Sequence, residues 1–465
     1  MAIENLGGSR LELPRGAGDA ALDAPVLAIP ISHGHGRAAL SLSEHALDGN
    51  VLVLGGPGSG KGNLFRHILA GLASAMTQED VTVVFDATGA YLDAFYQPGD
   101  VVLAHDASAL PADCAVARWN LFEELLASPE TLEGSARELT DALFDVPGSS
   151  AAGDAFFACL MACARRRMSG DGGADHRVMV ECLSGQDGDA LAEAARRVRG
   201  AFSGCFSEAG TLSMRRAIRA KGGKRIFILY DMVAGKAVTP VYRMLLDLAI
   251  GEALGRARGA GRVTFVLPRL PLVRGLVHLE DAIHLGRARG VRFVVGMSSL
   301  AQLRGAYGAE GAEGILTGLA SRFFFRPNDG ETRDYIRHQL GRSRTVEAYY
   351  SQDITRGLVE AVVDGHVAED WLLQRLPVGA CVYTAPGAEP QIIETAPFAA
   401  AAPAGAFVVR AAAPQGGFTI RQRGGPTEAA EAPPERAAAG AFTIRAHGAD
   451  APEMPDTSEE EPPAE

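Results

Sequence analysis

The run Val51-Leu-Val-Leu-Gly-Gly-Pro-Gly-Ser-Gly-Lys61 constrains this chain more than any other feature. Four apolar residues read as a buried strand, a glycine-rich turn follows, and Leu64, Ile68 and Leu72 then recur at helical spacing. The pattern is strand, G-x-x-x-x-G-K, helix. Glycines let backbone N–H groups converge on phosphate oxygens, the helix N-terminus adds its dipole, and the lysine brings a point charge toward the β- and γ-phosphates. Gly55, Gly56, Pro57, Gly58, Ser59, Gly60, Lys61, Gly62 and Asn63 are therefore the candidate nucleotide-binding residues, with Asp86 at the end of a neighbouring apolar run counted among them and ATP or ADP as the expected ligand.

The metal half of such a site is poorly provided. The residue after the lysine is usually Ser or Thr, whose hydroxyl ligates magnesium, and here it is Gly62. A second anchor and a water-activating carboxylate belong at the end of a later buried strand. The best-placed strand reads Val263-Thr-Phe-Val-Leu-Pro-Arg-Leu-Pro271 and carries no acid. Magnesium is thus expected to bind weakly or not at all. Asp86 and Asp231 also end apolar runs, and either could hold metal or simply cap a loop. Arg287, in Gly286-Arg-Ala-Arg-Gly290, and Arg322 are candidates for an arginine acting in trans if the chain forms rings.

Further short runs rich in β-branched and aromatic residues alternate with helical patterns. They are Val81–Phe85, Val101–Ala104, Arg225–Tyr230, Val263–Leu267, Val291–Val295 and Arg322–Phe325, with Ala380–Thr384 as a possible edge strand. Continuous apolar strands separated by helices predict a βαβ core with a parallel twisted sheet. From 119 to 224 the strand signal vanishes and helical periodicity predicts an all-helical insert. A helix is expected over Pro240 to Arg258, with the proline at its start. The expected divisions are a β-rich lead-in over 1–50, the core over 51–118 and 225–398, the insert over 119–224, and a tail over 399–465.

That tail is rich in Ala, Pro and Glu, and its composition predicts disorder. It repeats one hexapeptide at 405–410, 416–421 and 440–445, of form Gly-(Ala/Gly)-Phe-(Val/Thr)-(Val/Ile)-Arg. The Phe and the β-branched residue two positions later would share one face of an added strand, which suits docking on a protein partner. The net charge of −12 is uneven: the insert is basic, with Arg165, Arg166, Arg167, Arg196, Arg197, Arg199, Arg215, Arg216, Arg219, Lys221 and Lys224. These either contact nucleic-acid phosphates or face solvent. Six cysteines show no metal spacing, and Cys159 and Cys163 read as helix-core thiols. No apolar run is long enough for a membrane helix and no signal peptide is evident, so a cytoplasmic location without membrane contact is expected.

Several of these pieces together resemble one family, the conjugative coupling proteins of type IV secretion systems, and more distantly the HerA and FtsK translocases. They are the Gly55–Lys61 loop followed by Gly62, Val83-Val-Phe-Asp-Ala-Thr-Gly89, Trp119-Asn120, Ile226–Asp231, Thr239-Pro-Val-Tyr-Arg243, Leu300-Ala-Gln-Leu-Arg-Gly-Ala-Tyr-Gly308, and Phe323–Asp329 to Leu340-Gly341. The likeness implies a RecA-like P-loop NTPase core and an oligomer, either of this chain or with a paralogous ATPase. The departures are specific. Pro268 and Arg269 stand where the family has Asp-Glu, and Ser298 stands where it has a γ-phosphate-sensing glutamine. What the resemblance implies is therefore a nucleotide-binding, hydrolysis-impaired scaffold or regulator, with an active DNA or protein translocase as the alternative.

Overall fold

Alternation along one four-residue strand sets the layering of the molecule. Val51 and Val53 belong to one apolar core, Leu52 and Leu54 to the other, and all four are fully buried. A strand covered on both faces needs apolar side chains at every position, which is why it reads as a continuous run.

The computed structural model describes residues 3–8, 11, 25–33, 36–108, 110–144, 150–170, 176–184, 188–208, 210–255, 261–350 and 358–399. Its strands are β1 Ile3–Gly8, β2 Pro25–His33, β3 Gly36–Ser43, β4 Val51–Leu54, β5 Val81–Asp86, β6 Val101–Ala104, β7 Lys224–Leu229, β8 Val263–Leu267, β9 Val291–Met297, β10 Ser321–Phe325, β11 Arg342–Tyr350, β12 Leu358–His366, β13 Ala380–Thr384 and β14 Gln391–Thr395. Eleven of them form one sheet in the order β3-β2-β14-β13-β10-β4-β9-β8-β5-β7-β6. From β10 to β6 every pairing is parallel, and from β13 outward every pairing is antiparallel. β1, β11 and β12 form a separate antiparallel sheet.

Two expectations change. β13 is not an edge strand, because it lies between β10 and β14 and its first four residues are buried. The sheet continues past it through β14, β2 and β3, so the first fifty residues supply strands to the same sheet. In β2, Leu27, Ile29 and Ile31 are buried while Ala28, Pro30 and Ser32 are exposed. Such half-buried alternation is a weaker signal than an apolar run. The helix expected from Pro240 instead spans Gly235–Gly255, with Pro240 inside it. The proline lies just beyond the first turn, so it forfeits only one backbone bond, and the Thr239 hydroxyl donates to the Gly235 carbonyl at 2.5 Å.

Between β6 and β7 the described residues are chiefly helical: Leu121–Leu126, Leu132–Phe144, Ala151–Met168, His176–Ser184, Asp189–Ala201 and Met214–Ala220. A buried acid organises their base. Glu124 accepts from Trp119 Nε1 at 2.6 Å, Ser213 Oγ at 2.8 Å, the Arg215 N–H at 3.1 Å and the Met214 N–H. Burial pushes its carboxyl pKa up, and these four donors oppose that shift. The tail and its repeats at 405–410, 416–421 and 440–445 lie outside the described residues.

Candidate functional site

β4 ends at Leu54 in the middle of the sheet, and the loop Gly55–Gly60 turns directly into the helix Lys61–Ala75. Gly60 has φ +111°, and a Cβ there would lie 2.7 Å from the Gly379 backbone nitrogen, so only glycine fits. Ser59 is buried, with its hydroxyl donating to the Gly56 carbonyl at 2.8 Å and its own carbonyl accepting from Gly379 N–H at 3.0 Å. The N–H groups of Gly58, Gly60, Lys61 and Gly62 find no acceptor among the described residues. They converge at a helix N-terminus, which is the arrangement that receives a phosphate.

Lys61 folds its ammonium back on the loop, donating to the carbonyls of Gly55 and of Gly56, the latter at 2.8 Å. Burial, with Arg269 close by, lowers its pKa to about 8. Both groups line a cavity of about 920 Å³ walled by the loop, by residues after β5, by Pro268 to Arg274 after β8, and by Met297 to Ala306 after β9. Its cations are Lys61, Arg66, Arg269 and Arg274, and no Asp or Glu among the described residues lines it. The side chains of Arg66, Arg269 and Arg274 make no hydrogen bond or ion pair with the described residues.

β9 separates β4 from β8, so the ends of β8 and β9 face the loop from one side. Pro268, Arg269 and Ser298 occupy those ends and all three line the cavity, as do Gly62 and Asn63. Asn63 is also committed to the end of β14. Its amide donates to Thr395 Oγ1 at 3.2 Å and the Ala396 carbonyl at 2.8 Å, and its oxygen accepts from Phe398 N–H at 2.7 Å.

The two carboxylates considered as metal anchors are occupied. Asp86 is buried, and its oxygens accept from the N–H groups of Thr88, Gly89, Tyr91 and Leu92 at 2.8 to 3.1 Å, and from Thr88 Oγ1 at 3.2 Å. Asp231 accepts from Val233 and Ala234 N–H and lies 2.7 Å from His105 Nδ1, away from the cavity lining. The Ala234 N–H, with His105 beside it, holds its carboxyl below the usual range. Arg287 precedes β9 and so stands at the opposite edge of the sheet from the loop, 3.1 Å from His45 Nδ1. Arg322 donates to the Leu319 carbonyl at 2.8 Å and to Gln339.

A divalent cation of the magnesium type seeks six oxygen ligands, two of them commonly protein carboxylate or hydroxyl. With glycine at 62, Asp86 saturated and an arginine after β8, the residues present do not fit one. They do fit a polyphosphate.

Sequence reasoning missed Arg66, Arg274, Tyr91 and Gln302, which also line the cavity. The available signal was the charge inversion of a single loop: arginines at 269 and 274 with no acid between them. It also left Cys159 and Cys163 as a pair, whereas Cys182 from the next helix brings its sulfur to within 4.8 Å of both. Most of the basic residues singled out in the insert have partners, several of them in ion pairs at the exposed surface. Arg167 and Arg216 pair with Glu123, Arg197 with Glu193, Arg215 with Glu138, Arg219 with Glu252 and Lys221 with Glu79. Arg199 bonds the Ser184 hydroxyl.

Residues 36–201 and 202–360 match the family model of the type IV secretion-system coupling protein DNA-binding domain. The chain belongs to this coupling-protein family. Coupling protein TraD of Escherichia coli (strain K12) is 22% identical over 386 residues, spanning 74% of this chain and 52% of TraD. Conjugal transfer protein TraG of Agrobacterium fabrum (strain C58 / ATCC 33970) is 32% identical over 130 residues, 28% of this chain and 20% of TraG. The chain thus spans about half the length of the first of these curated relatives and a fifth of the second. The coupling protein TrwBdeltaN70 in complex with sulphate superposes with a TM-score of 0.65 at 17% identity, covering 85% of this chain and 94% of that one. TrwB in complex with ADP and Mg2+ gives a TM-score of 0.60 at 17% identity, over 78% and 88% of the two chains. The RecA-like fold of coupling proteins is shared. No described helix is long and apolar enough to cross a membrane.

Proposed function

We propose that this coupling-protein relative binds ATP or ADP through Gly55–Asn63 and hydrolyses ATP slowly or not at all, serving as a nucleotide-dependent scaffold or regulator. One observation carries the reading: a phosphate-loop cavity with four cations and no carboxylate. Phosphoryl transfer to water needs a group to orient and deprotonate the water and a metal to neutralise developing charge. Among the described residues the lining offers Gln302 to orient a water, but no carboxylate to take its proton or to anchor the metal. TrwB, with the same fold, is found with ADP and Mg2+ and with a non-hydrolysable ATP analogue, which supports a nucleotide as the ligand here.

In this reading the protein acts beside copies of itself or active paralogues, with the tail repeats as its partner-binding segment. The pairing of most insert arginines with acids argues against a broad phosphate-binding face there. The test is nucleotide binding and steady-state turnover by wild type and Lys61→Ala, with and without DNA. Binding without turnover is expected. DNA-stimulated turnover of about 1 per second, lost in Lys61→Ala, would instead establish an active translocase.

A further inference from the structure

The cavity holds an unbalanced charge. Lys61 and Arg269 share it without an intervening acid, and Arg66 and Arg274 face it without partners among the described residues. Like charges gathered on one cavity repel even where solvent screens them, as at the exposed Arg269 and Arg274, and an arriving anion relieves that repulsion. Metal-free ATP carries about four negative charges once its terminal phosphate is past its last pKa, and a bound magnesium ion cancels two of them. The cavity's cations match the metal-free form.

We infer that Arg269, seconded by Arg274, takes the place of the divalent cation, so that the protein binds nucleoside triphosphate without metal and distinguishes it from diphosphate through the guanidinium. This rests on the nucleotide-binding reading above. Arg269 begins the loop after β8, the place from which an acidic side chain would reach a metal on the γ-phosphate, and it is exposed to the cavity. A guanidinium presents a planar fork of N–H donors that suits phosphate oxygens and, unlike a metal, needs no protein ligands of its own. Mg2+ would compete with it for the same oxygens.

Two features shape the expectation. A Cβ on Gly62 would meet only the Tyr91 hydroxyl, at 3.9 Å, so the fold leaves room for a side chain where a metal-binding hydroxyl is usual. Arg274 lies five residues beyond Arg269, past the short turn Leu270–Leu272, and lines the same cavity.

The experiment is calorimetric titration of the full chain with ATP and with ADP, in excess Mg2+ and in EDTA. For wild type, the ATP affinity in EDTA should equal or exceed that in Mg2+. Arg269→Ala should weaken ATP at least about tenfold in EDTA and ADP by no more than about threefold. The double replacement Pro268→Asp with Arg269→Glu should reverse the preference, with binding lost in EDTA and recovered in Mg2+. A wild-type ATP affinity that falls tenfold or more in EDTA would overturn this inference while leaving nucleotide binding intact. Absence of binding in both media would overturn the underlying reading as well. Unfolding curves for each variant separate loss of the subsite from loss of the fold, and Gly62→Ser provides a second variant whose added hydroxyl should not create metal dependence while Arg269 remains.

Discussion

Lys61 and Arg269 share one cavity wall, where the lysine's burial first and the guanidinium's positive charge second bring the ammonium's pKa to about 8. The free protein therefore holds its phosphate-binding lysine on the edge of deprotonation. A polyphosphate bound against it favours the charged form and raises that pKa again, so binding takes up a proton.

From this follows a pH dependence with a definite sign. Below about pH 8 Lys61 is already protonated and affinity should be level. Above it the free protein loses the proton and the complex keeps it, so affinity should fall by up to about tenfold per pH unit until the bound-state pKa is reached. Titration from pH 7 to 9.5 measures this, and Lys61→Ala should bind at least about tenfold more weakly at pH 7 and lose the slope.

Gly60→Ala should damage both loop and fold. Its left-handed φ of +111° and the 2.7 Å approach to Gly379 leave no space for a methyl group. A cost of about 1–3 kcal/mol in chemical unfolding is expected, together with loss of nucleotide binding.

Asn63→Ala should release the end of β14 from the phosphate-loop helix. Three hydrogen bonds, to Thr395, Ala396 and Phe398, depend on that one amide. Stability should fall by about 1–3 kcal/mol, and amide exchange should accelerate first at residues 395–398.

Glu124→Ala should loosen the base of the helical segment. It strands four donors, the Trp119 indole, the Ser213 hydroxyl and two backbone N–H groups, in a fully buried place. A loss of about 3 kcal/mol is expected. Glu124→Gln, which keeps one acceptor oxygen, should cost roughly half as much in the same unfolding assay.

The parallel part of the sheet was legible because strands such as β4 and β8 are buried on both faces and write themselves as unbroken apolar runs. β2, β3 and β14 were not, since β2 and β14 show the core only alternate residues, β3 buries Leu42 alone among its described side chains, and all three gain their place from long-range pairing. The phosphate loop was legible for a different reason: its chemistry is carried by backbone and one lysine, all contiguous. Arg66 was invisible as a site residue because nothing local distinguishes it from a solvated arginine, and Arg274 was signalled only by the acid-free loop it shares with Arg269; the convergence of separate loops makes both line one cavity.

By itself, the sequence determined that a strand, a glycine turn and a helix would present N–H groups and Lys61 to phosphate, and that no hydroxyl or acid stood at the expected metal positions. Local backbone preferences and residue identity suffice for that. The tertiary structure decided what became of the remaining candidates. Asp86 is consumed by five hydrogen bonds and Asp231 by His105 and its own turn, while the Arg269 side chain has no partner among the described residues and shares the cavity with Lys61. The reason is that whether a charged side chain is free to meet a ligand depends on which donors and acceptors the fold packs around it. That is fixed by contacts between residues far apart in the chain.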